Sequence, residues 1–498
     1  MIDQKFKVIV PLYNVESWID KCVKSIKIQD YENFECILID DISTDNSVHV
    51  IKSIIEDDKR FSLIQNKQKK FALQNIYEAI EISGNDKEDI IVTLDGDDWF
   101  ATKKVLSTLN EIYNEYRCHM TYGSYIEFPS MQKGKFCQQI PTNVIKENSY
   151  RETQWLSSHL RTFKRHLWNS IKKEDLQKDG EFYRMTWDMA FMFPMLEMAG
   201  PLAIHISKPL YSYNRQNPLN DDKVNHRLQL ETESFIRSKQ KYSTNFASCR
   251  ILGPGPSNSG LGNQLFCIAA TLSYCKDNNK TAIFPEIRTN NQVKKYSDSL
   301  FKKLKVGLPI DIFHSKYNEQ KFSYNEIPSL DNNIILNGYF QSEKYFLHNR
   351  DYVIEMLNIS SLQEEVKNRY GDYSDYFSIH IRRGDYLNLQ NYHGILDLDY
   401  YSKAIKQFGE KEKFIIFSDD IEWCKSNFEF LENKVFATCQ EDWEDLILMS
   451  TCKGHIIANS TFSWWGAWLS GNETIAPNKW FNNEINTNDV YCKKWRKI

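Results

Sequence analysis

Ile90-Ile-Val-Thr-Leu94 is apolar almost throughout and stops at Asp95-Gly-Asp-Asp98. A strand without polar alternation has to be covered on both faces, as a central strand of a parallel α/β sheet is. Its neighbours repeat the theme. Val8-Ile-Val-Pro-Leu-Tyr-Asn14 is an apolar run ending in a turn, followed by an amphipathic stretch from Ser17 to Ile28. Cys36-Ile-Leu-Ile39 stops at Asp40-Asp41, a helical stretch runs from Ser47 to Glu56, and Phe61 to Ile64 is the next strand. Strand–helix alternation of this kind predicts a parallel, doubly wound sheet. Carboxylates at a strand end, with glycine allowing a sharp turn, can hold a divalent cation through hard oxygen ligands. Such a cation bridges a diphosphate and neutralises its charge as it departs. Read alone, D-G-D-D is also a common turn.

The second half is organised around His380-Ile-Arg-Arg-Gly-Asp-Tyr386. Phe377, Ile379 and Ile381 alternate with Ser378, His380 and Arg382, the period of a half-buried strand. The run breaks at Gly384, which leaves His380 and Arg382 near the carboxyl end, where open α/β sheets bind ligands. Arg382 and Arg383 offer forks of donors matched to phosphate oxygens, a socket for a nucleotide diphosphate. The alternative is a salt-bridge cluster around Asp385. Phe414-Ile-Ile-Phe417 is a buried strand that delivers Ser418, Asp419 and Asp420 to the same edge. An aspartate there can accept both guanine N1–H and N2–H. Gly454 to Ala458 is another strand, after which Ser460, Thr461 and Ser463 offer hydroxyls to phosphate at a helix start. Gly253-Pro-Gly-Pro-Ser-Asn-Ser-Gly-Leu-Gly-Asn-Gln264 allows close backbone approach, with a helix starting near Asn263 beside Gly262. Trp464, Trp465 and Trp468 read as packing anchors.

Val-Pro-Leu-Tyr-Asn14, Asp40-Asp41 with Ser43 and Asp45, and Asp95-Gly-Asp-Asp98 fall in the order of the family 2 glycosyltransferases, which the first half resembles. The resemblance implies a GT-A nucleotide-sugar-binding domain. Asp40 or Asp41 would read the nucleoside and Asp95 would lie near the ribose, with Asp98 completing the nucleotide-facing set. Asp97, with Asp95, would ligate Mn2+ or Mg2+. The family's general base is the aspartate of a late Glu-Asp pair; the match is Trp187-Asp188, opening a helical run from Met189 to Met198. The helix dipole would keep Asp188 ionised, although a plain N-cap is the competing role. Leu210-Tyr-Ser-Tyr-Asn-Arg215 is similar to the family's closing segment, and Ser158 to Lys164 reads as an acceptor-cleft lining or a basic solvated loop. Trp187 stands where the family has glutamate, and Ile42 where it has glycine.

Gly260-Leu-Gly-Asn-Gln-Leu-Phe266, Asn337 to Phe346, Phe417-Ser-Asp-Asp420, Asn459 to Trp468 and the R-R-G-D run together resemble the family 11 glycosyltransferases, α-1,2-fucosyltransferases that use GDP-fucose. The resemblance implies a GT-B domain of two Rossmann-like lobes needing no metal cofactor, with Arg382 and Arg383 stabilising the departing GDP. Asp419 is then the candidate for guanine and His380 flanks the base or ribose; Asp385 and Asn263 are the candidates for the base of the step.

The expected domains are 1–245 and 246–498, joined through a polar, helix-compatible stretch from Asp221 to Ala247. A formal charge of −4 argues against a nucleic-acid partner. Eleven cysteines without a C-x-x-C pair, and a start lacking a signal peptide, point to a cytoplasmic chain with reduced thiols. The expected activity is bifunctional and inverting. One half would transfer a hexose or N-acetylhexosamine from a UDP-sugar and the other L-fucose from GDP-fucose, both to a glycan or glycolipid acceptor. A lipid-linked acceptor would bring the chain to a membrane surface. The rival reading is a single fucosyltransferase carrying a non-catalytic sugar-binding module.

Overall fold

The computed structural model describes residues 2–218, 225–255, 259–388, 390–482 and 484–498. Residues 221–224 of the polar stretch and 256–258 of the glycine-rich run lie outside the described residues. The chain forms two compact units, one of residues 1–244 with 306–312, the other of 245–305 with 313–498. Segment 306–312 thus departs from a division at a single point. It joins the first unit through bonds from Gly307 N to Tyr116 O (3.1 Å) and Leu308 N to Pro201 O (2.8 Å).

In the first unit the main strands are β1 (Phe6–Leu12), β2 (Phe34–Asp40), β3 (Phe61–Gln65), β4 (Ile90–Thr93), β5 (Trp99–Phe100), β6 (Met120–Phe128), β7 (Arg161–Lys164) and β8 (Ala203–Asn214). Their order is β3-β2-β1-β4-β7-β6-β8-β5. The first four are parallel, as the alternation predicts, and every residue of β1 and β4 is buried. From β7 onward the sheet is mixed: β7 runs antiparallel to both β4 and β6. Arg161-Thr-Phe-Lys164 has no apolar run to announce a strand, yet all four residues are buried. Charge pairing makes this tolerable, since Arg161 meets Asp95 and Asp188, and Lys164 meets Glu88. The helices that position the site are α1 (Glu16–Lys27), α2 (Ser47–Ile55) and α3 (Trp187–Ala199). Helix α3 is buried nearly all round, and a buried ion pair between Arg151 and Glu197 holds its far end.

The second unit contains two sheets, both wholly parallel. Strands β9 (Phe246–Cys249), β10 (Thr281–Ala282), β11 (Ser315–Asn318) and β12 (Ile334–Asn337) are ordered β10-β9-β12-β11. Strands β13 (Phe377–Ile381), β14 (Phe414–Ser418), β15 (Lys434–Phe436), β16 (Gly454–Ile456), β17 (Glu473–Ala476) and β18 (Arg496–Lys497) are ordered β15-β14-β13-β16-β17-β18. Strand β13 departs from the half-buried reading. Ser378 and His380 are as buried as Ile379 and Ile381, because a central parallel strand is covered on both sides. The buried polar side chain of Ser378 is satisfied by His455 Nδ1 at 2.7 Å.

Helix α4 (Leu261–Asp277) from the first of these sheets meets a helix from the second, Thr461–Ser470, at Gly262. A Cβ there would lie 2.4 Å from Thr461 C and 2.6 Å from Thr461 O. Phe266 packs on Trp464 at 4.4 Å between ring centroids, and Phe346 stacks on Trp465 at 5.4 Å. All three tryptophans of this helix are buried, as packing anchors are. Ten of the eleven cysteines are buried and Cys439 is half-buried.

Gly262→Ala should destabilise the second unit by about 1–3 kcal/mol, because rigid backbone, not a flexible side chain, blocks the added methyl. Urea unfolding would report this as a lower midpoint, and an unchanged midpoint would mean that the two helices can separate freely.

Candidate active sites

The first site is built where β2, β1 and β4 end. Asp41 N bonds Leu12 O at 2.9 Å and Gly96 N bonds Pro11 O at 3.2 Å, so the end of β1 separates the two acidic motifs. Gly96 is required there, since a Cβ would sit 2.6 Å from Leu12 Cβ. Asp40 accepts from Ser43 N at 3.2 and 3.3 Å. Asp41 is more heavily engaged. It accepts from Asn66 Nδ2 (2.8 Å), Lys70 N (2.9 Å) and Phe71 N (2.9 Å). Burial pushes its carboxyl up, and these donors outweigh that and hold it below the usual range. Asp41 therefore ties the 66–71 segment to the sheet and leaves Asp40 the freer of the pair. Ile42, directly after the pair, has φ +61°, a left-handed conformation that glycine adopts without strain.

The three carboxylates after β4 take different roles. Asp98 is 1% exposed and accepts from Tyr211 Oη (2.5 Å) and Asn214 N (2.7 Å). Burial, with Asp97 and Asp95 adding like charge, drives its carboxyl well above the ordinary value. Asp95 goes the other way. Burial opposes ionisation, but His159, Arg161 and Tyr211 overcome it and hold Asp95 low. Asp97 is half-buried and accepts from Asn217 Nδ2 at 2.8 Å. Asp95, Asp98 and His159 bring ligand atoms within 4.8 Å of one another. Asp98, however, is closed off by its two donors, whereas Asp95 and Asp97 remain partly accessible to an incoming cation.

Arg161 joins this motif to Asp188. It is 1% exposed, lies 3.7 Å from Asp95 Oδ2 and 3.3 Å from Asp188 Oδ2, and rests against the Trp187 ring at 5.3 Å. Asp188 is not the N-cap of α3; Thr186 occupies that position, and Asp188 Oδ1 accepts from Met189 N at 3.0 Å. The tryptophan in place of glutamate thus packs on the arginine that orients the neighbouring aspartate. His159 stacks on Tyr211 (4.5 Å) and Tyr213 (5.3 Å), so residues 158–164 are no solvated loop. The sequence placed His159 and Arg161 only within a stretch read as acceptor-cleft lining or solvated loop, and gave Asn217 no role. The alternation of Arg161 with Phe163 was the available signal.

The second site lies where β13, β14 and β16 end. Arg382 pairs with Asp385 at 2.7 Å and Asp419 at 3.1 Å. Arg383 pairs with Asp420 at 3.1 Å, donates its backbone N–H to Asp419 at 2.9 Å and lies 4.0 Å from the Trp423 ring. Gly384 permits this closeness, because a Cβ would be 2.4 Å from Asp419 Oδ2. Asp420 also caps helix Ile421–Asn427 through Trp423 N. His380, 4% exposed, tilts against Phe462 at 5.4 Å and has no partner for Nδ1 among the described residues. Burial first, and Arg382 second, push its imidazole down to about 3, so it is neutral at physiological pH. Ser460 caps its helix, while Ser463 is fully buried and donates to Ala458 O (3.4 Å) and Ser460 O (3.2 Å), facing away from any cleft. Thr461 touches Gly262, and Asn263 accepts from Gln341 Nε2 at 2.8 Å.

Glycosyl transferase family 2 matches residues 7–177 and glycosyl transferase family 11 matches residues 277–498. An α-1,2-colitosyltransferase of Escherichia coli is 33% identical over 213 residues, 38% of this chain and 71% of that protein. The chain is a glycosyltransferase of families 2 and 11. The O-antigen biosynthesis glycosyltransferase WbnK of Escherichia coli is 36% identical over 30% of this chain and 56% of its own length. Human galactoside α-(1,2)-fucosyltransferase 1 is 30% identical over 28% of the chain and 44% of its own. The family 2 half is a GT-A α/β domain with a mixed sheet, and the family 11 half carries the two parallel sheets of a GT-B domain. No helix among the described residues is long and apolar enough to cross a membrane.

The buried neutral His380 has a consequence for stability. An unfolded histidine titrates near ~6.5, above the folded value, so the unfolded chain binds more protons as pH falls below that point. Wild-type protein should therefore lose about 1.4 kcal/mol relative to His380→Asn between pH of about 7.5 and 5.5. Urea titrations of both proteins at the two pH values check this, and a constant difference would show that His380 is hydrated.

Proposed function

We propose that the chain is a bifunctional, inverting glycosyltransferase. Its family 2 half would transfer a hexose or N-acetylhexosamine from a UDP-sugar, and its family 11 half L-fucose from GDP-fucose in α-1,2 linkage. The observation that carries the first activity is the continuous line Asp95–Arg161–Asp188, which aligns the motif facing the nucleotide with the proposed base. Asp188 takes the proton of the acceptor hydroxyl, and Arg161 holds that carboxylate in place. Asp40, with Asp41 behind it, faces the nucleoside. The carboxylates fit a hard divalent cation, Mn2+ or Mg2+: Asp95 and Asp97 would hold it, with His159 adjacent. When bound, such an ion neutralises diphosphate charge.

For the second activity, two relatives named for α-1,2 transfer, one of colitose and one of fucose to a galactoside, support the linkage. Arg382 and Arg383 supply the positive charge for the leaving diphosphate, after exchanging their carboxylate partners for phosphate. Asp419 faces guanine, and His380 supports the base or ribose. Gly262 and Asn263 with Ser460 and Thr461 line the opposing side. Residues 1–245 and 246–498 are the working division, and the acceptor is a glycan or glycolipid. The cytoplasm, which holds nucleotide sugars and keeps thiols reduced, is the proposed compartment.

Screening UDP- and GDP-sugars for turnover, with and without EDTA, tests the reading. EDTA should abolish UDP-sugar transfer and leave fucosyl transfer intact; equal loss of both would remove Asp97 from its role. Absence of any UDP-sugar turnover would make the first half a sugar-binding module.

Arg382→Lys should lower fucosyl turnover by about 10²–10³, because the charge stays while the bidentate fork is lost. UDP-sugar transfer should be unchanged, and Asp97→Asn should show the reverse pattern. A near-wild-type fucosyl rate in Arg382→Lys would make this run a structural salt-bridge cluster.

A further inference from the structure

Every carboxylate at the edge of the second site is already engaged: Asp385 and Asp419 with Arg382, and Asp420 with Arg383. Each of these carboxylates thus has a guanidinium to serve, whereas one imidazole beside them has none. His393 stacks face to face on Tyr386 at 4.1 Å and 10°, and meets Tyr392 (4.8 Å) and Phe481 (5.5 Å) with its other sides. The guanidinium of Arg382 lies 5.6 Å from the same Tyr386 ring. His393 Nδ1 is buried and has no hydrogen-bond partner among the described residues.

One residue of the second site ties both parts of the stack. Asn459 donates to Gly394 O at 2.9 Å and accepts from Tyr386 Oη at 3.0 Å, fixing Tyr386 and the residue after His393. Gly394 in turn is pressed against Asn482, whose Oδ1 would be 2.9 Å from a Cβ. A half-buried histidine whose buried Nδ1 has no partner among the described residues is poorly explained as a structural residue.

We propose that His393 is the general base of the transfer in the family 11 half. The inference rests on the reading of that half as a GDP-sugar transferase. The acceptor oxygen forms its bond to the anomeric carbon as the bond from that carbon to the diphosphate oxygen breaks. That electron pair leaves with GDP, and the acceptor proton passes to His393 Nε2, the ring nitrogen that is not buried. The charged groups facing the ring are Asp385 and Arg382, and the titratable phenols are Tyr386 and Tyr392. Burial, opposed by Asp385 and aided by Arg382, keeps the imidazole below its ordinary value and so unprotonated at neutral pH. Asp385 then meets the imidazolium that forms.

The test uses the full chain, GDP-fucose and a galactoside acceptor, with His393→Ala and His393→Phe; phenylalanine keeps a ring against Tyr386. Both variants should lose about 10²–10⁴ in turnover while binding GDP as wild type does. The acid limb of the wild-type pH–rate profile should vanish, and added imidazole should partly restore His393→Ala. His393→Phe turning over within about tenfold of wild type would overturn the proposal. So would a loss that tracks GDP affinity and ignores imidazole. If wild type uses another GDP-sugar instead, the donor is corrected and the same variants are read with that donor. A wild-type chain that transfers no GDP-sugar overturns the reading of the half and this base with it.

Discussion

Arg161 is a fully buried cation placed between two carboxylates, and the first site depends on it. Desolvating a guanidinium costs several kcal/mol unless opposite charge replaces the lost water. Asp95 on one side and Asp188 on the other supply that charge, with the Trp187 ring beneath. The need is mutual. It obliges β7 to lie beside β4, antiparallel, and obliges α3 to begin where its second residue can reach the strand. The mixed character of the sheet beyond β4 and the position of the proposed base follow from one electrostatic requirement.

In the second unit the corresponding constraint is steric. Gly262 and Gly384 each mark a place where another group occupies the space of a Cβ, the first Thr461 and the second Asp419. The layer of Phe266, Phe346, Trp464 and Trp465 then sets the separation of the two parallel sheets. Backbone proximity at Gly262 and aromatic volume behind it are complementary: one brings the helices together and the other stops them from closing further.

The parallel strands and the residues at their ends were legible because they follow uniform local rules. Apolar runs of four to seven residues, each stopping at a polar cluster, locate β1, β2, β4 and β14 within a residue or two, and period-two alternation locates β13. What escaped was nonlocal. Strand β7 is written in arginine, threonine and lysine, so its burial is visible only when its partners, 66 and 27 residues away from Arg161, are known. The half-buried reading of β13 failed for the same reason, since Ser378 bonds His455 and His380 packs on Phe462, both on other elements. Ser463 looked like a phosphate ligand by position, but its hydroxyl turns back to its own helix start. The left-handed Ile42 is intelligible once the donors to Asp41 are seen, because they fix the segment around it.

The ion pairs of Arg382 and Arg383 bear on which molecules the second cleft admits. A bare pair of arginines projects a long-range field that draws in any polyphosphate, accelerating encounter without discriminating. Here three aspartates cancel that field at a distance. A passing anion gains nothing from proximity alone. It is retained only if it can reach the guanidinium forks and replace carboxylate geometry there, a condition that rewards shape over charge. On the proposed reading, such a site would be quiet among other phosphorylated solutes, and slower capture of its donor would be the counterpart of that indifference.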